Sequence, residues 1–319
     1  MSLMEVVLDG VVIGGLYALI AIGFNLQYGV ARIVNLAYGE FLMGAAFAAF
    51  WMLTLLSISP ILGMLLSVPA TFGANWLVYR ALMLPLVRRA RTREQLEGET
   101  ILATFGLLFV LRGAASIAFS ANNRYYDYLG VPLNIFGFTF AANRVLAFAV
   151  ACLFGLLIWA VLMRTRSGAA LRALAIDPIG AQLVGVDVTG MSAFAFAIGG
   201  ALVAVTGTLV STFLAFNPAI GIEFTMKALV VVIMGGVGNM VGSLAAGVLL
   251  GVAESLCSYL RPHPRGRLRI VPDHPPGSAA RPVRDRLACV AQPLSPVFLC
   301  LRRSWPRCRG LCRTTGWAS

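Results

Sequence analysis

The segment NLAYGEFLMGAAFAAFWMLTLL, residues 35–56, has Asn35, Tyr38 and Glu40 near its start and then continues to Leu56 without a charged residue. A helix of about 20 apolar residues crosses the roughly 30 Å hydrocarbon core of a membrane. The segment therefore predicts a transmembrane helix that begins with polar side chains. Because a polar group exposed to lipid is energetically costly, these side chains need partners in the protein or at the membrane surface.

The composition of the whole chain agrees with a membrane protein. Of its 319 residues, 59% are apolar and 12% are charged, whereas about a quarter of the residues of a soluble domain are charged. The first apolar stretch lacks the basic start and cleavage site of a signal peptide, so we predict that it spans the membrane. We predict an all-α, polytopic bundle of about seven to eight transmembrane helices, the last apolar stretch corresponding to one span or two. The stretches are approximately 7–29, 36–57, 59–83, 100–119, 143–163, 191–215 and 226–256.

The net charge of +12 is concentrated at the C-terminus. Residues 1–256 contain 13 basic and 11 acidic residues, while residues 257–319 contain 12 arginines and two aspartates. The second region also holds nine of the 15 prolines and five of the six cysteines, without a helical or strand period. We therefore predict a transmembrane domain, 1–256, followed by an Arg/Pro/Cys-rich tail, 257–319, that has no packed core.

Two interpretations of this tail are open. It is a disordered or frameshifted segment, which is our prediction, or a genuine basic tail that binds lipid or nucleic acid. Its histidines and the pair Cys308 and Cys312 lack the spacing of a zinc site, and Cys152 lies inside an apolar stretch. We predict no metal, no cofactor, no disulfide framework and no nucleic-acid partner.

Basic residues near the ends of the spans predict the orientation in the membrane. They cluster at 88–94 and 164–178, with two spans and the segment 120–142 between the clusters. Because basic loops stay in the cytoplasm, both clusters are predicted inside and 120–142 outside. The turn that contains Arg32 then lies inside and the N-terminus outside. We expect residues 84–99 to form a mixed-charge linker.

The apolar part of the chain lacks the residue sets that chemistry requires. It contains no histidine and no paired nucleophile and base, so we predict that the protein is not an enzyme. The single lysine of the sequence, Lys227, does not follow a glycine-rich phosphate loop. Any ATP hydrolysis is therefore expected on a partner chain.

Polar residues and glycines at membrane depth are the candidates for a solute pathway. Such glycines either allow helices to pack closely or mark breaks that expose backbone groups beside a cavity. The run GGVGN, 235–239, favours a break, because each glycine costs a helix up to about 1 kcal/mol relative to alanine. The candidate pathway or gating residues are Asn25, Asn35, Glu40, Asn217, Gly235, Gly236 and Gly238.

Helix-end roles are the first explanation for the polar residues that open the second span. Asn35 is placed to cap that helix, and Glu40 lies in its first turn, near the positive end of the helix dipole. Tyr38 is suited to the membrane interface. Gating is an additional role for this group.

The cytoplasmic segment 164–190 contains an amphipathic helical run. An apolar side is predicted to be shared by Leu171, Leu174, Ala175, Leu183 and Val184. Such a run lies flat on the membrane surface or docks into another protein. Its periodicity does not choose between the two.

Three motifs resemble the permease subunits of ABC-type branched-chain amino-acid importers, over about residues 5–256. They are GGLYALIAIGFNLQYGVARIVNLAYGEFLMGA (14–45), RTRSGAALRALAIDPIGAQLVGVDV (164–188) and NPAIGIEFTMKALVVVIMGGVGNMVGSLAAGVLLGVAE (217–254). The resemblance implies a subunit that forms the translocation pathway for branched-chain or related amino acids in the bacterial inner membrane. The partners that it implies are a second permease subunit, ABC ATPase subunits and a periplasmic or extracellular solute-binding protein, with lipid around the bundle.

The resemblance also assigns residues. It implies that the second motif docks on the ATPase, and the coupling residues that it implies are Arg172, Ala175, Asp177, Pro178, Gly180 and Gly185. The chain departs from the family at Tyr38, where the family usually has histidine, which argues against an obligatory proton carrier there. It also lacks the final apolar helix that the family has after Leu256.

Two other functions are considered. A stand-alone, ion-coupled secondary transporter needs buried ionisable residues in the middle of the membrane, and the acidic residues here are predicted mostly near helix ends. A membrane scaffold would leave the glycine breaks unexplained. The solute is open among branched-chain amino acids, other amino acids, amides and urea.

Overall fold

The computed structural model describes residues 3–260, except 91, 121, 127, 130, 136 and 137. Seven of its helical stretches are long and apolar enough to cross a membrane, so the predicted polytopic helical bundle is confirmed. The elements are α1 Leu3–Ala31, α2 Tyr38–Leu56, α3 Pro60–Val78, a π-helical turn Tyr79–Met83, α4 Leu84–Arg89, α5 Arg93–Phe119, β1 Pro132–Ile135, β2 Phe138–Ala141, α6 Ala142–Arg164, α7 Arg166–Ile176, α8 Pro178–Leu183, α9 Val188–Ser211, α10 Ile220–Gly235 and α11 Met240–Leu260.

The helices form an inner and an outer layer. In the most apolar part of α9, 89% of the residues are buried, against 61% in α1 and 17% in each of α3–α4, α5 and α6. The outer helices expose large apolar side chains, for example Leu65 and Ile117. This is the arrangement expected when lipid rather than water surrounds a bundle, since helices satisfy their own backbone hydrogen bonds. The buried interior is therefore built mainly around α1, α2 and α9.

Glycines bring α1 and α11 into direct backbone contact. A Cβ atom added to Gly14 would lie 2.7 Å from Cα of Val248, and one added to Gly10 would lie 2.7 Å from Cα of Val252. Because the earlier residue of α1 meets the later residue of α11, the two helices are antiparallel. Small residues permit such close approach of membrane helices. These pairs also show which residues of α11 lie at the same depth in the bundle as given residues of α1.

The third span is longer than predicted. The helix continues through the π-helical turn into α4, and α5 starts at Arg93, so the expected linker at 84–99 is mostly helical. Pro85 has no N–H group for the helical hydrogen bond, and the widened turn lies directly before it. Thr92 caps α5, its side chain accepting a hydrogen bond from the backbone N–H of Gln95. The linker prediction was wrong because charged residues at helix ends resemble a loop.

The long final apolar stretch is two helices, one of the two possibilities that its glycines predict. α10 has 16 residues, or about 24 Å, and is too short to cross the hydrocarbon core alone. Gly236 and Gly238 adopt φ angles of 86° and 81° in the connection, a conformation that glycine adopts at little cost. α11 ends at Leu260, four residues beyond the predicted domain boundary. The remainder of the tail, 261–319, lies outside the described residues.

Contacts between connections agree with the predicted sidedness. Arg124 and Phe216 exchange backbone hydrogen bonds of 2.8 and 2.9 Å, which joins the connection before β1 to the one between α9 and α10. At the opposite end of α1, Arg32 donates from Nη2 to the carbonyl oxygen of Ala175 at 3.3 Å. The α1–α2 turn and the segment α7–α8 therefore lie on the same side, as the basic residues predict.

Candidate functional site

Asn25 of α1 holds the connection between α10 and α11. It is 2% exposed, and its Oδ1 accepts a hydrogen bond from the backbone N–H of Gly238 at 2.7 Å. Its Nδ2 lies 3.1 Å from the carbonyl oxygen of Asn239 and 2.8 Å from Oγ of Ser243. One buried amide thus satisfies backbone groups that the helix break leaves free. The structure brings together Asn25 and the glycine run, both predicted as pathway residues.

The three glycines of this break have different surroundings. A Cβ atom on Gly235 would lie 2.5 Å from the backbone of Gly242 in α11, whereas no heavy atom lies within 4 Å of one on Gly238. A Cβ on Gly236 would have Asn239 at 4.0 Å as its nearest neighbour. Gly235 therefore allows close packing, and Gly236 and Gly238 allow the positive φ angles. Both explanations of the glycines apply, at different positions.

The chain turns back into the bundle between α1 and α2. Ile33, Asn35 and Ala37 are each 0% exposed. The Nδ2 group of Asn35 donates to Oε1 of Gln27 at 3.4 Å, and its Oδ1 accepts from the backbone N–H of Ala37 at 3.1 Å. Ala37 occupies the N-cap position of α2 without a side-chain cap. Asn35 therefore stabilises the buried turn, and its predicted capping role is wrong.

Tyr38 is not an interfacial anchor, contrary to the prediction. It is 0% exposed, and its hydroxyl lies 3.0 Å from the carbonyl oxygen of Gly199 and 3.2 Å from that of Ile20. A Cβ atom on Gly23 would lie 2.3 Å from that hydroxyl oxygen. The phenol thus joins α2 to α1 and α9 in the interior.

Replacing Tyr38 by phenylalanine is expected to lower the unfolding free energy by about 0.5–1.5 kcal/mol, since one buried donor is lost. At about 2–4 °C per kcal/mol for a domain of this size, this is a decrease of roughly 1–6 °C in Tm. Thermal unfolding of the purified protein measures it, with the exposed Tyr125→Phe as the control. An unchanged Tm for Tyr38→Phe would show that the hydroxyl contributes nothing.

Glu40 is a buried carboxylate near the middle of the bundle. It is 2% exposed, and neither of its oxygens has a hydrogen-bond partner among the described residues. Its side chain lies against Gly221 at the start of α10, where an added Cβ would be 2.7 Å from Oε1. Glu40 lies in the first turn of α2, as predicted, but inside the bundle rather than at the membrane surface.

The depth of Glu40 follows from its neighbours. The adjacent Gly39 donates its backbone N–H to Oγ1 of Thr225 at 2.8 Å. Phe224, next to Thr225, packs its ring against Tyr17 with centroids 6.1 Å apart, and Tyr17 is the midpoint of α1. The buried turn before α2 raises Glu40 to this level. Its position in the first turn of α2 had predicted a place near the inner surface, because the turn before a span normally lies at the membrane boundary.

A second charged group lies beside Tyr17. Nζ of Lys227 in α10 donates to the Tyr17 hydroxyl at 2.6 Å and to Oε1 of Glu254 in α11 at 2.9 Å. The Tyr17 hydroxyl in turn donates to Oε2 of Glu254 at 2.7 Å. This group was not predicted from the sequence, although a single lysine inside an apolar helix is itself a signal of function.

Asn217 lies apart from the other predicted pathway residues. Its Nδ2 donates to Oδ1 of Asn123 at 3.0 Å, and its Oδ1 accepts from the N–H of Ala219 at 2.8 Å. In the same region, burial raises the pKa of the Tyr126 hydroxyl, which lies 2.7 Å from Oγ of Ser211. These contacts connect the loops on the predicted outer side of the bundle.

The cytoplasmic segment forms two short helices, α7 and α8, that meet at Asp177. Oδ1 of Asp177 caps α8 by accepting from the N–H of Ile179 at 2.9 Å, and Pro178 occupies its first turn. Gly180 lies against the same carboxylate, which a Cβ atom would approach to 2.7 Å. Gly185 has a φ of 83° at the exit from α8. These predicted coupling residues therefore determine the shape of the helix pair.

The apolar residues of this segment face two directions. Leu171 and Leu174 are 1% and 0% exposed and pack on the bundle, whereas Leu183 and Val184 are 85% and 79% exposed. The single apolar side predicted for them is therefore wrong. Ile176 and Ile179 are exposed as well. We call these four exposed residues the α8 patch: Ile176, Ile179, Leu183 and Val184.

A pocket of about 300 Å³ separates α7 from the α10–α11 connection. Ala175, which Arg32 contacts, lies on one side, and Val237 and Gly238 lie on the other. Arg172 does not line this pocket, and its Nη1 lies 2.7 Å from Sδ of Met163. The end of α1 thus touches both the predicted coupling segment and the break that Asn25 holds.

Most of the chain matches a known protein family. The family described as "Branched-chain amino acid transport system / permease component" matches residues 6–269. The chain belongs to this family. The match covers the described helices from α1 to α11 and ends within the tail, beyond the predicted boundary at 256.

Curated relatives of the permease include the high-affinity branched-chain amino acid transport system permease proteins BraD of Pseudomonas aeruginosa and LivH of Salmonella typhimurium. BraD is 30% identical over 266 residues, covering 79% of this chain and 85% of BraD. LivH is 31% identical over 261 residues, covering 78% and 84%. A probable branched-chain amino acid transport permease, LivH of Methanocaldococcus jannaschii, is 30% identical over 264 residues, covering 80% and 81%. No solved structure matches significantly.

Family membership confirms the resemblance that the three motifs carry. The permease is a transport subunit and a multi-pass protein of the bacterial inner membrane. None of these matches favours a stand-alone ion-coupled transporter. The roles of individual residues stay predictions, and the structure adds Tyr17, Lys227, Glu254 and the α8 patch to the candidates.

Proposed function

We propose that this permease, with a second permease subunit, forms the membrane pathway of an importer for branched-chain or related amino acids. ABC ATPase subunits on the cytoplasmic side hydrolyse the ATP, and a periplasmic or extracellular binding protein delivers the solute. The names of BraD and LivH support the solute class. The permease itself carries out no chemistry.

The α8 patch is the observation that carries this proposal. Ile179 and Leu183 are 72% and 85% exposed at the cytoplasmic end of the bundle. The leucines of α7 pack on the bundle, whereas these two side chains are not packed against the described part of the chain. A group of large exposed apolar residues, here on α8 and directly beside it, is typical of a protein interface, and we assign that interface to an ATPase subunit.

The contacts around Arg32 suggest how movement of the ATPase reaches the membrane. Arg32 binds the carbonyl of Ala175 in α7, and Asn25, two turns earlier in α1, binds the α10–α11 connection. A displacement of α7 and α8 would therefore act on the end of α1 and, through Asn25, on the break. If α1, α7, α8 and the α10–α11 connection have two packed arrangements, the pathway would open alternately to the two sides of the membrane.

Reconstitution tests the proposed function. The permease is placed in proteoliposomes with its partner permease and ATPases, and leucine uptake is measured with the binding protein present. We expect uptake that requires both ATP and the binding protein. Uptake that follows an ion gradient without ATP would contradict the proposal and favour a secondary transporter.

We also propose that the tail adds nothing to transport. Its composition offers little buried area to offset an ordering cost of roughly 1–2 kcal/mol per residue. Truncation after Leu260 is expected to leave the uptake rate of the reconstituted complex within twofold of the full chain. A loss of uptake with normal assembly would make the basic tail functional.

A further inference from the structure

The Lys227 group has three features that a stabilising ion pair does not need. Its side chains come from three helices, α1, α10 and α11. Tyr17 hydrogen-bonds to both charged partners. The ammonium group also lies over two aromatic rings, 4.7 Å from the centroid of Tyr17 and 5.6 Å from that of Phe224.

The depth of the group follows from the α1–α11 contact. Gly14 meets Val248 and Gly10 meets Val252, so Glu254 projects from α11 level with the first half of α1. Its carboxylate reaches back to Tyr17, the midpoint of that helix. The charges therefore lie between the middle of the bundle and its predicted outer end, within the span of the membrane.

The charged side chains are partly uncovered within the chain. The side chain of Lys227 is 30% exposed and that of Glu254 is 46% exposed. Contact of such groups with hydrocarbon is expensive, so intramembrane charges face another protein surface or a water-filled cavity. An ion pair taken out of water also adds little stability compared with apolar residues of similar size. The group is therefore better explained by a function than by stability.

We propose that Lys227, Glu254 and Tyr17 form the point at which the pathway recognises the zwitterionic backbone of an amino acid. Lys227, whose ammonium group lies over the rings of Tyr17 and Phe224, binds the carboxylate, and Glu254 binds the ammonium group of the solute. This inference rests on the proposed transport of amino acids and names the residues that contact them.

Exchange of partners explains why such a site would release its solute. In the structure, Lys227 and Glu254 neutralise each other at 2.9 Å. A zwitterion supplies one charge of each sign, so it can enter between them while each ion keeps an opposite charge. The Tyr17 hydroxyl, which already contacts both ions, continues to bridge them. The gain on binding is therefore small, as a transport pathway requires.

Selective labelling of Lys227 tests the inference on the native sequence, because the chain has no other lysine. The reconstituted complex is treated with a small amine-reactive reagent during ATP turnover, and modification of Lys227 is quantified by mass spectrometry. Saturating L-leucine is expected to reduce the modification rate at least threefold relative to the same concentration of 3-methylbutylamine, which also consumes the reagent but lacks the carboxylate. Equal modification with the two amines, in a complex that transports leucine, would overturn this inference and leave the proposed function intact.

Variants provide the second test. Lys227→Met is expected to reduce leucine uptake per ATP hydrolysed at least tenfold, and Lys227→Arg, which keeps the charge, to recover part of it. The matched control is Arg144→Gln. It removes the ion pair between Arg144 of α6 and Asp9, which, like Tyr17, belongs to α1. Comparable losses in Lys227→Met and Arg144→Gln would indicate that both pairs are structural and would overturn the inference. A wild-type complex without any amino-acid uptake would instead contradict the proposed function.

Discussion

Replacing Ile179 and Leu183 together by aspartate is expected to reduce ATP-driven uptake at least a hundredfold, with normal insertion of the permease. The two side chains are 72% and 85% exposed, so the change removes almost no packing within the chain. In a docked complex the same carboxylates would be buried against apolar groups, at a cost of several kcal/mol. A hundredfold loss of affinity corresponds to about 2.8 kcal/mol. Co-purification with the ATPase subunits and uptake in proteoliposomes measure the effect.

The control for this prediction is Thr189→Asp, an exposed residue at the start of α9 on the same side of the bundle. It adds a negative charge there without changing the α8 patch. We expect it to retain ATPase binding and uptake within about twofold. If the Ile179 and Leu183 variant also retained its ATPases, the α8 patch would not be the docking surface.

The helical bundle could be predicted because its main signal is local. An apolar run of about 20 residues has few alternatives to a membrane helix. Helix ends were less predictable. Arg88 and Arg89 suggested a loop after 83, but they belong to the last turn of α4, since charged residues at the membrane surface are compatible with a continuing helix.

The apolar face of the coupling segment was predicted wrongly because a single helical period was applied across Pro178. α7 ends at Ile176, and α8 starts as a separate helix capped by Asp177. Leu171 and Leu183 then lie on helices with different axes, so their spacing along the chain no longer tells whether they share a side. Proline at the start of a helix is the local signal that should have divided the segment.

The candidate site depended on contacts that no local pattern contains. Asn25 and Gly238 are 213 residues apart in the chain, and Tyr38 binds the carbonyl oxygen of Gly199, 161 residues away. Asn25 and the glycine run were correctly selected as special, but their association could not be predicted. Glu40 was selected for a helix-end role because the buried turn before α2 has no distinctive sequence. The sequence around Lys227 excludes a phosphate loop but does not reveal its partners, Tyr17 and Glu254, which lie far from it in the chain.

The glycine run allows a prediction that separates close packing from backbone conformation. Gly235→Ala is expected to reduce uptake at least tenfold and to lower Tm, although Gly235 is helical. Its new Cβ would lie 2.5 Å from the backbone of Gly242 and Ser243, so α10 and α11 would have to move apart. Asn25 could not then keep all its hydrogen bonds to the connection and to Ser243.

Gly236→Ala and Gly238→Ala are the matched controls, because both positions have space for a methyl group. Their φ angles of 86° and 81° give each substitution a cost of about 1–2 kcal/mol, without separating the helices. We expect a modest decrease in Tm and uptake within about threefold of the parent. Uptake and thermal unfolding of the three variants, measured in parallel, give the comparison. If Gly236→Ala or Gly238→Ala were as damaging as Gly235→Ala, the left-handed connection would be the critical feature, and the close approach of α10 and α11 would be secondary.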